Sequence, residues 1–179
     1  MLGEDHWDHI VYPGQKGGYE VAAGQKGKAY DGILRTGGLD KCIAIGALNT
    51  SEEIGYLKHI AGYQEAPEDF AREIDDFLND VSNENEEDDL QYILAGSNFD
   101  DQDIVVSSVD EENTNLRDIQ NIAGQRMIAE ELVNTRVDNY DTAWGSDEGF
   151  TSELVVDMNG LPSFVYDRRL DIHDDDHNL

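Results

Sequence analysis

The residue types that can do chemistry gather in one stretch, Thr36 to His59, which holds the only cysteine, Cys42, and one of five histidines. Cys42 opens a short apolar run containing β-branched residues, Ile43 to Leu48. Asn49 to Glu52 has turn chemistry, and Ile54 to Ile60 is apolar again. This pattern predicts a β-hairpin. With a symmetric four-residue turn that sets Leu48 against Glu53, Cys42 falls directly opposite His59, where cross-strand side chains stand roughly 5 Å apart. An imidazole beside a thiol promotes the thiolate nucleophile, and the same histidine can later protonate a leaving amine. Thr36 lies six residues before Cys42 across Gly37-Gly38. It can orient the imidazole through its hydroxyl or its backbone carbonyl, and the two glycines let the chain turn tightly there.

Packing is the plainer alternative. A lone cysteine ahead of an apolar run also serves as a small buried hydrophobe, and a lone histidine as a satisfied interior or surface group. The spacing distinguishes this stretch from that background. Thr36-x-Gly38-x-x-x-Cys42 followed by an apolar run, then Gly55-x-x-x-His59, resembles the motif of CheD, the chemoreceptor glutamine deamidase family. The similarity extends over about Ile33 to Val165. Pro67 to Val81 sits where that family has its first long helix, and Leu90 to Gly96 resembles its strand ending in a Gly-Gly-Ala turn. Asn121-Ile-Ala-Gly-Gln-Arg126 resembles its Asn-Ile-Gly-x-Arg-Asn helix opening. Val137 to Thr142 and the closing hairpin through Asn159-Gly160 resemble its final strands.

The resemblance implies an α/β fold, a layered sandwich of mixed β-sheets with two main helices packed on them. It also implies a thiol amidohydrolase that converts protein glutamine to glutamate. Cys42 would be the nucleophile, His59 the base and acid, and Thr36 the residue orienting His59. The substrates would be chemoreceptor glutamines, and a CheC-type phosphatase would be a partner. Asp40-Lys41 stand where the family usually has Gly-Ser, and Ala95-Gly96-Ser97-Asn98 where it has Gly-Gly-Ala. The helix motif carries an extra Ala123, and Met127 replaces its Asn. These departures lie where a substrate backbone would approach. Relatives by fold, such as the cytotoxic necrotizing factor toxins, keep the Cys and His while deamidating other targets, so fold alone does not name the substrate.

The supporting elements follow from pattern. Residues 1–18 read as an irregular N-terminal segment, 19–167 as the CheD-like domain and 168–179 as an acidic tail. Tyr19 to Arg35 is expected to supply two strands separated by Gly24 to Gly27. Pro67-Glu68-Asp69 makes a good helix start, with proline in the first turn and acids favoured by the helix dipole. Phe70, Ile74, Phe77, Leu78 and Val81 then share one helical face. Leu90 to Ala95 reads as a strand, and Ile104 to Val106 as a short strand. Asn115 can cap a second helix that ends near Asn134. Arg136 to Tyr140, Phe150 to Met158 and Leu161 to Asp167 read as closing strands, the last two joined through Asn159-Gly160. Trp144-Gly145-Ser146 is expected to form a loop near the site edge.

Composition bounds the rest. A chain of 179 residues with 39% apolar residues suits one domain with a real core. Forty acids against twelve bases give a net charge of −28. Such self-repulsion destabilises a compact state unless salt screens it, and at molar salt the Debye length is only about 3 Å. Scarce lysine with abundant acid therefore points to a halophilic host. Residues 1–58 carry eight acids and six bases, net −2, which leaves −26 on residues 59–179. The less acidic part either offers a protein partner a place to dock or simply holds the interior strands. Nucleic-acid binding is disfavoured, because Lys/Arg clustering is limited to Arg168-Arg169. A soluble mimic of nucleic-acid charge is a weaker alternative.

One cysteine excludes an internal disulfide, and no apolar stretch approaches the roughly 20 residues of a membrane span. The opening residues are acidic and polar, unlike a signal peptide, so a cytoplasmic protein, or one packaged in a virion, is expected. No cofactor and no metal are expected, although His6-x-x-His9 and His173 with His177 carry suitable donors. A second reading keeps the fold without the chemistry: a structural protein in a larger assembly, for example a virion component of a virus infecting a halophile.

Overall fold

The computed structural model describes residues 6–39, 42–61, 67–86, 89–96, 126–138, 140–144 and 150–170. In chain order these form β1 (His9–Val11), β2 (Gly18–Glu20), β3 (Lys26–Ala29), β4 (Ile33–Thr36), β5 (Ile43–Asn49) and β6 (Ile54–Ile60). Helix α1 (Pro67–Glu84) and β7 (Leu90–Gly96) follow, then helix α2 within 126–136, β8 (Tyr140–Trp144), β9 (Phe150–Asp157) and β10 (Ser163–Leu170).

The strands build two mixed sheets, one of six strands in the order β1-β3-β6-β5-β7-β8 and one of four in the order β10-β9-β4-β2. The fold is thus α/β, a sandwich with helices on one face of the larger sheet. β5 and β6 are buried along their whole lengths, which explains why the sequence reads as continuous apolar runs there and not as alternation. Odd-numbered residues of β5 (Ile43, Ile45, Ala47) face α1, where Phe70, Ile74, Phe77, Leu78 and Val81 bury the predicted helical stripe. Burying each such side chain is worth roughly 1.5–3 kcal/mol, which fixes the helix against the sheet. The opposite face meets the smaller sheet through Leu48, Leu57, Leu34, Leu154 and Val156.

Glycine sets how closely the sheets approach. A Cβ on Gly46 would come within 2.7 Å of Phe164 Cε1, and one on Gly55 within 2.5 Å of Val156 Cγ1. Both positions therefore need the absent side chain. Lysines lock the helix to the sheet: Lys28 Nζ donates to Glu84 Oε2 at 2.6 Å, Lys58 Nζ to Glu73 Oε1 at 3.2 Å, and Lys26 pairs with Asp80. Three of the five lysines are thereby committed to α1, so much of the base in residues 1–58 neutralises helix acids. Arg136 ties α2 to α1 through Asp75 and Asn79.

Several boundaries differ from expectation. His9–Val11, within the segment read as irregular, forms β1 and pairs in parallel with β3. Residues 18–36 make three strands, because Gly32, at φ +70°, permits a turn between β3 and β4. Arg136 ends a helix and does not begin a strand, so the following strand starts at Tyr140. Trp144 closes that strand, with its indole donating to Glu130 Oε1 at 2.6 Å. The last hairpin pairs Asp157 with Ser163, so five residues lie between the paired positions, and β10 runs on to Leu170 into the segment read as a tail. The expected strand at Ile104 to Val106, the Asn115 cap, the Asn121 to Gln125 part of the helix opening, Ser97-Asn98, and His173 and His177 lie outside the described residues. Among the described residues no helix is long and apolar enough to cross a membrane.

Candidate active site

The chain changes sheets between Thr36 and Cys42. Thr36 ends β4 in the four-stranded sheet, and Ile43 begins β5 in the six-stranded one. Gly38, at φ +65°, makes the turn, and the buried Leu39 donates its amide to the Ser152 carbonyl at 3.4 Å. Asp40 and Lys41 lie outside the described residues. Cys42 is half-buried and packs against the core between the sheets. Gly96, opposite Ile43 at φ +119°, holds β7 against it, since a Cβ there would collide with the Cys42 carbonyl.

The hairpin register differs from the symmetric-turn expectation. His59 pairs with Ala44, not Cys42. Asn49 joins the ladder opposite Ile54, and its Oδ1 accepts the amides of Ser51 at 3.1 Å and Glu52 at 3.0 Å. That Asx turn closes the loop over Thr50 to Glu53, one residue later on each strand. Side chains two apart on a strand share a face, so Cys42 and His59 still face the same layer. They are diagonal neighbours, at roughly 7–8 Å between backbones, which a long or aromatic side chain spans.

His59 and Thr36 meet across the two sheets. Thr36 Oγ1 lies 2.6 Å from His59 Nδ1 and 2.6 Å from the Val21 carbonyl oxygen. Both side chains are buried, Thr36 at 0% exposure and His59 at 5%. The hydroxyl has one hydrogen and a carbonyl can only accept, so Thr36 donates to Val21 and accepts from His59 Nδ1–H. The neutral imidazole therefore carries its proton on Nδ1 and presents a lone pair at Nε2. Among the described residues Nε2 is buried without a hydrogen-bond partner. The backbone of His59 is held as well, its amide donating to Gln25 O at 3.1 Å and its carbonyl accepting from Gly24 N at 2.9 Å.

Burial pushes the His59 pKa below the usual imidazole value of 6.5; the Val21 carbonyl opposes this, and the charge of Lys58 adds to it. The side chain is thus a neutral base near pH 7, suited to removing a thiol proton as sulfur attacks. The structure brings Thr36 and His59 into direct contact and places Cys42 on their face. Val21 was not legible from sequence, because its role depends on β2 lying parallel to β4, a long-range pairing. The two N-terminal histidines take separate partners: His6 Nε2 stands 3.6 Å from Glu84 and His9 Nε2 3.0 Å from Gln25. Among the described residues no three potential ligands gather as a metal site.

No family model matches the chain, and no curated protein matches it. Comparison with solved structures finds the Bacillus licheniformis hypothetical protein YfiH at a TM-score of 0.37 and 10% identity, covering 75% of this chain and 62% of that one.

Proposed function

We propose that the protein is a CheD-like thiol deamidase that converts glutamine side chains of a partner protein to glutamate. The observation that carries this reading is the relay from Val21 through Thr36 to His59, which leaves, among the described residues, an unpartnered Nε2 lone pair on the face that holds Cys42. Cys42 Sγ attacks the carboxamide carbon while its proton passes to His59 Nε2. The C–N bond breaks as the imidazolium returns that proton to nitrogen, releasing ammonia and leaving a thioester. Water then attacks the thioester carbon, giving its proton to Nε2. The C–S bond breaks, the carboxylic acid leaves, and the imidazolium reprotonates sulfur. Thr36 keeps the ring oriented throughout and is a positioning residue.

The motif spacing supports the same chemistry, and the resemblance extends it to chemoreceptor-type glutamines with a CheC-type phosphatase as partner. A high-salt host accords with the charge of −28, and the site of action proposed with this chemistry is cytoplasmic. The test is ammonia release from glutaminyl peptides and host proteins at molar salt. Wild type should release ammonia, and Cys42→Ala and His59→Ala should not; equal release by all three would remove the proposal.

A further inference from the structure

A second buried polar atom stands in the layer that holds Cys42. The hydroxyl of Tyr166 on β10 is buried and has no hydrogen-bond partner among the described residues. Tyr166 packs against the same inter-sheet core as Cys42. Register fixes its level. In the four-stranded sheet Tyr166 pairs with Leu154, which pairs with Thr36, so these three form one transverse row. In the facing sheet His59 pairs with Ala44, which pairs with Ala95, forming another. The Thr36 to His59 hydrogen bond joins the rows at one end. One level further along, a Cβ on Gly46 would come within 2.7 Å of Phe164 Cε1. Stepping two residues toward the site on both strands brings Tyr166 to the level of Ala44 and Ala95.

Two polar atoms without a partner among the described residues therefore flank small side chains in the layer of the only thiol: a lone pair at His59 Nε2 and a hydroxyl at Tyr166. A buried group without a partner is costly, and such groups call for a role. A primary carboxamide has a carbonyl oxygen that needs a donor and develops negative charge as sulfur attacks. Building on the deamidase reading above, we infer that the Tyr166 hydroxyl donates a hydrogen bond to the carbonyl oxygen of the carboxamide held against Cys42. In the tetrahedral intermediate that bond strengthens. No covalent bond to Tyr166 forms, and its proton stays on its own oxygen.

Two thiol probes test this without the natural substrate. Iodoacetamide carries a primary carboxamide and forms an S–C bond as iodide leaves; methyl methanethiosulfonate is also uncharged but lacks the carboxamide. In Tyr166→Phe the rate of Cys42 modification by iodoacetamide should fall about three- to tenfold, the loss of one hydrogen bond, with the methyl methanethiosulfonate rate unchanged. The melting temperature should hold or rise, because the variant deletes a buried hydroxyl that no group among the described residues satisfies. Unchanged rates with both probes, or parallel losses with a lowered melting temperature, would overturn the assignment. His59→Ala serves as the separate control: if it slows both probes while Tyr166→Phe slows neither, the Tyr166 assignment falls and the deamidase reading stands.

Discussion

Thr36 and His59 come from different sheets yet meet at 2.6 Å, and the threonine hydroxyl is committed to the Val21 carbonyl, also at 2.6 Å. One hydroxyl thereby fixes both the tautomer and the orientation of an imidazole whose Nε2 has no hydrogen-bond partner among the described residues. Packing of the two sheets is a precondition for this imidazole geometry. Damage to the interface should appear in the chemistry before it appears as unfolding.

Thr36→Val tests the relay with the shape preserved. It strands the Val21 carbonyl and His59 Nδ1–H in a buried layer, at a cost of about 1–3 kcal/mol in denaturant unfolding. Thr36→Ser should recover most of that loss. Nitrogen NMR of His59 should show neutral Nδ1–H imidazole in wild type and in Thr36→Ser, and mixed tautomers in Thr36→Val.

The pH dependence follows from the depressed His59 pKa. Below 6.5 the unfolded histidine takes up a proton before the folded one does, so stability is fully present above 6.5 and is lost as pH falls through the folded value. The measurement is the difference in unfolding free energy between wild type and His59→Gln, which removes the background of titrating carboxylates. That difference should shrink as pH falls below 6.5, and a flat difference would contradict a buried neutral imidazole.

Gly96→Ala should disable the site selectively. The alanine would need φ +119° and its Cβ would meet the Cys42 carbonyl, so the backbone carrying the thiol must move. Cys42 modification should slow at least about tenfold, since small misplacements of reacting groups are this costly. Gly46→Ala, which presses on Phe164 and Ile93, should instead cost about 1–3 kcal/mol by overpacking. Calorimetry with thiol kinetics on the two variants separates the effects.

Salt should act on the whole chain but not on its buried pairs. With a net charge of −28, the melting temperature should rise from 0.1 M to molar KCl as the Debye length shrinks from about 10 to about 3 Å. Lys28→Met leaves Glu84 without its cation, although Trp7 Nε1 still donates to it at 2.9 Å. Burial opposes the charge on Glu84, and the Lys28 and Trp7 hydrogen bonds outweigh it, holding its carboxyl below the ordinary 4.5. The variant should lose about 2–3 kcal/mol at both salt concentrations, because a buried pair is little screened.

The parts legible in the sequence are those with short-range signals. The stripe from Phe70 to Val81 fixed α1 and its buried face, and the apolar runs around Asn49 fixed the β5-β6 hairpin. Parity survived an error of register: moving the turn by one residue on each strand left Cys42 and His59 on one face, since side chains repeat every two residues. Val21, Tyr166 and the row that joins Tyr166 to Thr36 were not legible. Val21 depends on the parallel pairing of β2 with β4, and the row through Tyr166 on strands more than a hundred residues apart, such as Thr36 with Leu154; no local pattern encodes either. The strand β1 was hidden for a similar reason, because three residues of parallel edge pairing leave almost no periodic signal.

The most direct measurement is the rate of Cys42 alkylation by iodoacetamide at pH 7 and molar salt, in wild type and in His59→Ala, with circular dichroism confirming that both are folded. If His59 Nε2 is the base for the thiol, removing it should slow alkylation about a hundredfold, the lower range for a positioned general base. Equal rates in the two folded proteins would contradict a Cys42–His59 couple and with it the deamidase chemistry.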